Sequence, residues 1–100
     1  MHKMLVLYPP GQDEKKFRPY YETKHVPLAN RLPGVLATRY SFDIGSPAGK
    51  APFYCIFEAD FADAAAMVAA TTSEIGKQLR EDVSNFATHL PMIVHYEVAK

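Results

Sequence analysis

The order in which hydrophobic periodicity changes along this chain constrains its fold more than any other feature. His2 to Tyr8 (HKMLVLY) suits a pleated surface and stops at Pro9-Pro10-Gly11, so it reads as a strand. From Asp13 to about Arg31 the period lengthens. Phe17, Tyr21, Leu28 and Leu32 recur at spacings of four and seven, while Glu14, Lys15, Lys16, Arg18 and Glu22 fill the other faces. That is the pattern of an amphipathic helix, and Pro33-Gly34 ends it. Val35 to Ile44 then alternates, with Leu36, Thr38, Tyr40 and Phe42 against Ala37, Arg39, Ser41 and Asp43. The turn formers from Gly45 to Gly49 lead into a third strand, Phe53 to Ala59, so these two strands form an antiparallel hairpin.

Beyond Asp60, read as an N-cap, the run FADAAAMVAA has high helix propensity. Thr71 and Glu74 stand in capping-box spacing before a further helix striped by Ile75, Leu79, Val83 and Phe86. Pro91 closes the helical region, and Met92 to Val98 is the last strand. One βαββαβ unit over residues 1–100 results, a single α+β domain with a four-stranded antiparallel sheet covered on one face by helices. The other face must also be accounted for. In the last strand Met92, Val94 and Tyr96 oppose Ile93 and His95, and in the first Leu5 and Leu7 oppose Met4, Val6 and Tyr8. Apolar groups on both faces predict that the second face packs on a copy of itself, giving a homodimer.

Composition narrows the partners. Acidic and basic residues balance at eleven each, and no five like charges run together, which removes the electrostatic footprint of a nucleic-acid binder. Met4 to Tyr8 is too short for a signal sequence, and no window approaches the roughly 20 apolar residues that cross a bilayer, so a cytoplasmic location off the membrane is expected. The only cysteine, Cys55, lies in an apolar run and reads as a small buried hydrophobe.

The stretch YPP, a short polar turn, and then FRPYYETKHVPLANRLPGVLATRYSF resembles the EthD family of dimeric α+β barrel proteins. The positions that carry the likeness are Tyr8-Pro9, Phe17, Tyr20, Tyr21, His25, Pro27, Leu28, Leu32, Pro33 and Gly34. PFYCIFEADFADAAAM is similar to the family's third strand and second-helix entry, with Tyr54 at a family tyrosine position, and Asp82 and Phe86 match a late acidic residue followed by an aromatic. The resemblance implies a ferredoxin-like fold and a symmetric dimer whose sheets face each other. The family takes its name from an association with ethyl tert-butyl ether degradation, and its wider superfamily includes monooxygenases, lactone isomerases and heme-degrading proteins. Fold alone does not carry chemistry between such relatives.

His25 attracts attention on physical grounds as well. Pro27 has no N–H and its ring presses on the carbonyl of Thr23, so a helix passing here must kink or restart, with His25 in the break. Two roles are open. His25 acts as a general acid or base on a hydrophobic or aromatic small molecule held between helix and sheet, with Tyr21, Tyr40 and Tyr54 as substrate-binding walls; or it hydrogen-bonds a carbonyl freed by Pro27. His2, His89 and His95 have no metal-site spacing, and no glycine-rich phosphate loop occurs, so neither a metal nor an organic cofactor is expected. The expected function is thus a small catabolic protein doing cofactor-free acid/base chemistry of isomerase, lyase or oxygenase type. A noncatalytic dimeric carrier of the same ligand is the alternative.

Overall fold

Strand β1 (His2–Tyr8) lies inside the sheet, flanked by β3 (Cys55–Phe61) and β4 (Met92–Glu97), with β2 (Ala37–Ser41) at the far edge. The structure is a computed structural model and describes residues 1–100. All pairings are antiparallel, and the register sets Met4 opposite Ala59 on one side and His95 on the other, with Val6 opposite Phe57 and Ile93. Residues directly opposite share a face. His2, Met4, Val6 and Tyr8, with Cys55, Phe57, Ala59 and Phe61, therefore form the floor of the helix layer. This is the ferredoxin-like α+β architecture that the periodicities and the resemblance both predict.

The helical layer comprises α1 (Glu14–Tyr20), a π-helical turn (Tyr21–His25), α2 (Val26–Ala29), α3 (Ala64–Thr71), α4 (Glu74–Asp82) and a final 3-10 turn (Val83–Asn85). The break expected at Pro27 takes the form of that π turn. The Val26 N–H reaches back five residues to the Tyr21 carbonyl, after which the helix restarts with Pro27 in its first turn, where a missing N–H costs little. The Thr23 hydroxyl donates to the Pro19 carbonyl at 2.6 Å. Gly34, at φ +76, closes the segment in a backbone region that suits glycine.

Phe17, Phe61, Phe86, Tyr8 and Tyr21 are the largest fully buried side chains. Each contributes roughly 1.5–3 kcal/mol by leaving water. Phe17 makes edge contacts with Tyr8 and Phe86 at centroid distances of 5.0 and 4.8 Å, a geometry that suits the ring quadrupoles.

Several boundaries differ from the sequence reading. Asp60 does not cap α3. It stays in β3 opposite Lys3 and pairs with Arg39 at 3.0 Å, and the cap is Asp63, whose Oδ1 accepts from the Ala66 N–H at 2.8 Å. Thr71 ends α3, its hydroxyl spent on the Met67 carbonyl, and Ser73 caps α4 by accepting from the Gly76 N–H at 3.2 Å. β2 is shorter than the alternating run, and β3 runs two residues further than expected.

The sheet's other face carries Leu5, Leu7, Ile56, Met92, Val94 and Tyr96 at one side and the charged group Lys3, Arg39, Glu58 and Asp60 at the other. Met92, Val94 and Tyr96 are 58, 38 and 45 % exposed. No helix is long and apolar enough to cross a membrane.

Candidate functional site

Widening the helix at Tyr21–His25 turns His25 inward, where only 7 % of it stays exposed. Its ring stacks on Tyr21 at 5.4 Å and tilts against Phe86 at 4.7 Å. The nitrogen Nδ1 lies 2.9 Å from Asp82 Oδ2, not against a backbone carbonyl, so of the two roles open from sequence the carbonyl-bonding one is not the one adopted. Asp82 ends α4, and its other oxygen accepts from the Tyr20 hydroxyl at 2.6 Å and from Asn85 Nδ2 at 2.9 Å. Three donors thus hold the carboxylate in place.

Electrostatics follow from this packing. Burial drives the His25 pKa below its ordinary 6.5, and the hydrogen bond to Asp82 offsets this only in part. For Asp82, burial works upward, but the hydrogen bonds from Tyr20, His25 and Asn85 outweigh it and hold the carboxyl below its usual range. The pair therefore rests at neutral pH as a neutral imidazole donating Nδ1–H to an ionised carboxylate. Nε2 keeps a free lone pair, the arrangement in which a carboxylate orients an imidazole as a base.

Beside His25 lies a cavity of about 400 Å³ between helices and sheet. Its walls are mostly apolar; Met4, Val6, Phe57, Met67 and Leu79 contribute from four elements, β1, β3, α3 and α4. Its chemistry-bearing groups are few, as expected of a site where a handful of polar atoms orient a largely apolar ligand. Tyr8, Tyr21 and His95 reach it along with His25. Burial raises both tyrosine hydroxyls well above their ordinary pKa, so they stay protonated donors. The Tyr21 hydroxyl also lies against the Cys55 thiol, which burial pushes up to about 12.

Of the four residues singled out from sequence, His25 and Tyr21 meet at this cavity, whereas Tyr40 and Tyr54 line neither its walls nor its floor. Tyr40 stands in a shallow hollow on the outer side, its hydroxyl donating to Glu22 at 3.2 Å. Tyr54 packs edge-on against Phe17 and Phe42. Asp82 was marked in sequence only by its resemblance to a family position, and nothing in the residue pattern pairs it with His25. No three of the His, Cys, Asp and Glu side chains converge as a metal-ligand set.

The EthD domain matches residues 9–89. The crystal structure of an ethyl tert-butyl ether degradation (EthD) family protein from Bacillus halodurans C-125 superposes with a TM-score of 0.89 at 28% identity, covering 99% of each chain. A hydroxynitrile lyase from Passiflora edulis shares the fold at a TM-score of 0.74 and 16% identity, over 99% of this chain and 93% of that one. A dimeric ferredoxin-like protein of unknown function from Jannaschia sp. CCS1 follows at 0.68 and 19%, over 97% of both. No curated protein matches the chain.

Proposed function

The chain belongs to the EthD family, and on that premise we propose a small cytoplasmic single-domain protein of catabolism that binds a hydrophobic or aromatic compound and transforms it by cofactor-free acid/base chemistry. The observation that carries this reading is the His25–Asp82 pair, 2.9 Å apart, at the wall of a largely apolar cavity. Such a site offers a neutral base at physiological pH, and proton transfer to a positioned side chain contributes typically ~10²–10⁴-fold to rate. Tyr21 and Tyr8 serve as hydroxyl donors to a ligand oxygen, while Tyr40 and Tyr54 support the aromatic cluster from outside. The Passiflora neighbour is named a lyase, so this scaffold is compatible with such chemistry, although fold alone does not transfer it.

The homodimer belongs to the same reading. Leu5, Ile56, Met92, Val94 and Tyr96 form a partly exposed apolar patch on the uncovered sheet face, and a second copy would bury it.

A thermal-shift screen with phenols, lactones and quinones tests for the ligand, because occupancy of the folded state at 100 times Kd adds about 2.7 kcal/mol. Compounds that stabilise the protein are then assayed for turnover with the wild type and His25→Gln. The expected result is product formation that falls at least a hundredfold in the variant. Saturable binding with no product would favour a noncatalytic carrier instead.

A further inference from the structure

A second imidazole reaches the same cavity from the opposite layer, and it does not stand alone. His95, on β4, lines the cavity and has its Nδ1 2.9 Å from His2 Nε2, the two rings tilted with centroids 5.1 Å apart. His2 is buried to the same 7 % exposure as His25, and its other nitrogen, Nδ1, lies 3.5 Å from the carboxylate of exposed Glu97. His2 thus links the carboxylate of Glu97 to the exposed imidazole of His95 at the cavity.

We propose that His95, held in one tautomer by His2, is the proton donor that complements His25, and that the substrate is a carbonyl compound which loses a proton at one atom and gains one at another. The inference rests on the reading of His25 as the base. Two ring nitrogens at 2.9 Å share one proton, so the proton position on His2 sets the tautomer of His95. With a proton on His2 Nε2, His95 accepts at Nδ1 and presents Nε2–H to the cavity. As His95 Nε2–H passes to the substrate, the His2 Nε2 proton moves to His95 Nδ1 and water beside Glu97 protonates His2 Nδ1, so neither ring is left an imidazolate. Solvent protonation of exposed His95 Nε2 then drives the reverse shift that restores the starting tautomers.

In the same turnover His25 Nε2 takes a proton from a carbon next to the carbonyl, and the C–H electron pair moves into the enolate. One proton leaves the substrate to His25 and one returns from His95, and the His25 imidazolium then yields its proton to water, matching the one that solvent supplies. The net change is an isomerisation, or an elimination when the returned proton departs with the leaving group, and neither needs an oxidant. The charged and titratable groups around His95 are His2 on β1, Glu97 on its own strand, Arg80 on α4 and His25 across the cavity, with the Met1 amino group 3.5 Å from Glu97 at the outer end. None of the helical groups forms a hydrogen bond to His95, so its donor partner is His2.

The test uses β,γ-unsaturated cyclohexenone, whose conversion to the conjugated isomer removes one proton from carbon and returns one, together with imidazole nitrogen NMR of the ligand-free protein. Wild-type kcat should rise with pH through the His25 midpoint. His95→Gln should lower kcat about tenfold with little change in KM and keep that rise, while His25→Gln should lower kcat at least a hundredfold and abolish it. In the ligand-free NMR, His2→Gln should change the tautomer ratio of His95. A His95→Gln kcat like the wild type's, beside an inactive His25→Gln, overturns the donor role and leaves the base intact. Wild-type kcat retained by His25→Gln overturns the reading of His25 as well, and an inert wild type toward the enone overturns the assigned substrate class. An unchanged His95 tautomer ratio in His2→Gln removes the role of His2 whatever the kinetics show.

Discussion

His25 and Asp82 are 57 residues apart in the chain and 2.9 Å apart in space, joined where the π turn of the first helical segment meets the end of α4. The carboxylate takes three hydrogen bonds, two of them from Tyr20 and Asn85, so it can orient the imidazole without being free to rotate away. The remaining imidazole nitrogen is left for the cavity.

Replacing Asp82 with Asn keeps the size of the side chain and removes its charge. Turnover of any substrate that depends on His25 should fall about tenfold to a hundredfold, the usual loss when a group that orients a functional histidine is removed. The Asp82 hydrogen bond opposes the effect of burial on His25, so its loss lets burial act with less opposition and the His25 midpoint should drop further below 6.5. Imidazole NMR titration of the variant checks this, and an upward move would contradict the geometry.

The pH dependence of stability has a definite sign. The folded-state pKa of His25 is depressed, so below 6.5 the unfolded chain binds the proton more readily than the folded one, and stability declines as pH falls from about 6.5 toward the folded-state value. Asp82 and Asp60, whose carboxyls are also depressed, add a further loss as pH falls below 3.8. Urea midpoints between pH 7.5 and 5.5 should decline more steeply in the wild type than in His25→Gln, whose side chain does not titrate.

Gly76 sits where α3 turns into α4, and a Cβ there would lie 2.2 Å from the Thr71 carbonyl oxygen. Gly76→Ala must push the two helices apart and should cost about 2 kcal/mol, in the range of overpacked sites, or roughly 10 °C in Tm for a domain of this size. Calorimetry reads the shift directly. A Tm within two degrees of the wild type would show that the turn yields more easily than its geometry implies.

Val94 faces away from the helices at the middle of the apolar patch, 38 % exposed. Val94→Lys should leave the protomer folded, as shown by circular dichroism, while converting a dimer into a species of 11.2 kDa by light scattering. A wild-type protein already of that mass would refute the dimer itself.

The strand and helix order was legible in the sequence because each element's periodicity is a local property: alternation in β2 and four-residue recurrence of Phe17 and Tyr21 need no knowledge of neighbours. The break at Pro27 was legible for the same reason, since a missing N–H acts within one turn. Caps were less so. Asp60, Asp63, Thr71 and Ser73 are all residues that can cap, and which of them does depends on where the preceding strand or helix stops. Asp60 is drawn into β3 by Lys3 and Arg39, and the residue pattern around it does not show either contact.

For the site, the chain's own pattern determined an imidazole beside an apolar stripe, surrounded by aromatic residues. Only the tertiary structure decided its partner and its ligand-facing surface. α4 crosses the π turn so that Asp82 arrives at Nδ1, and the sheet places its last strand beside its first so that His95 meets His2. Tyr40 and Tyr54 fall outside the cavity because their strand and loop positions direct them to the other side of the Phe17–Tyr21 stack. Local periodicity says which way a side chain leaves its own element, but contacts between distant elements depend on how their apolar faces pack together, and that is settled only when the whole core is closed.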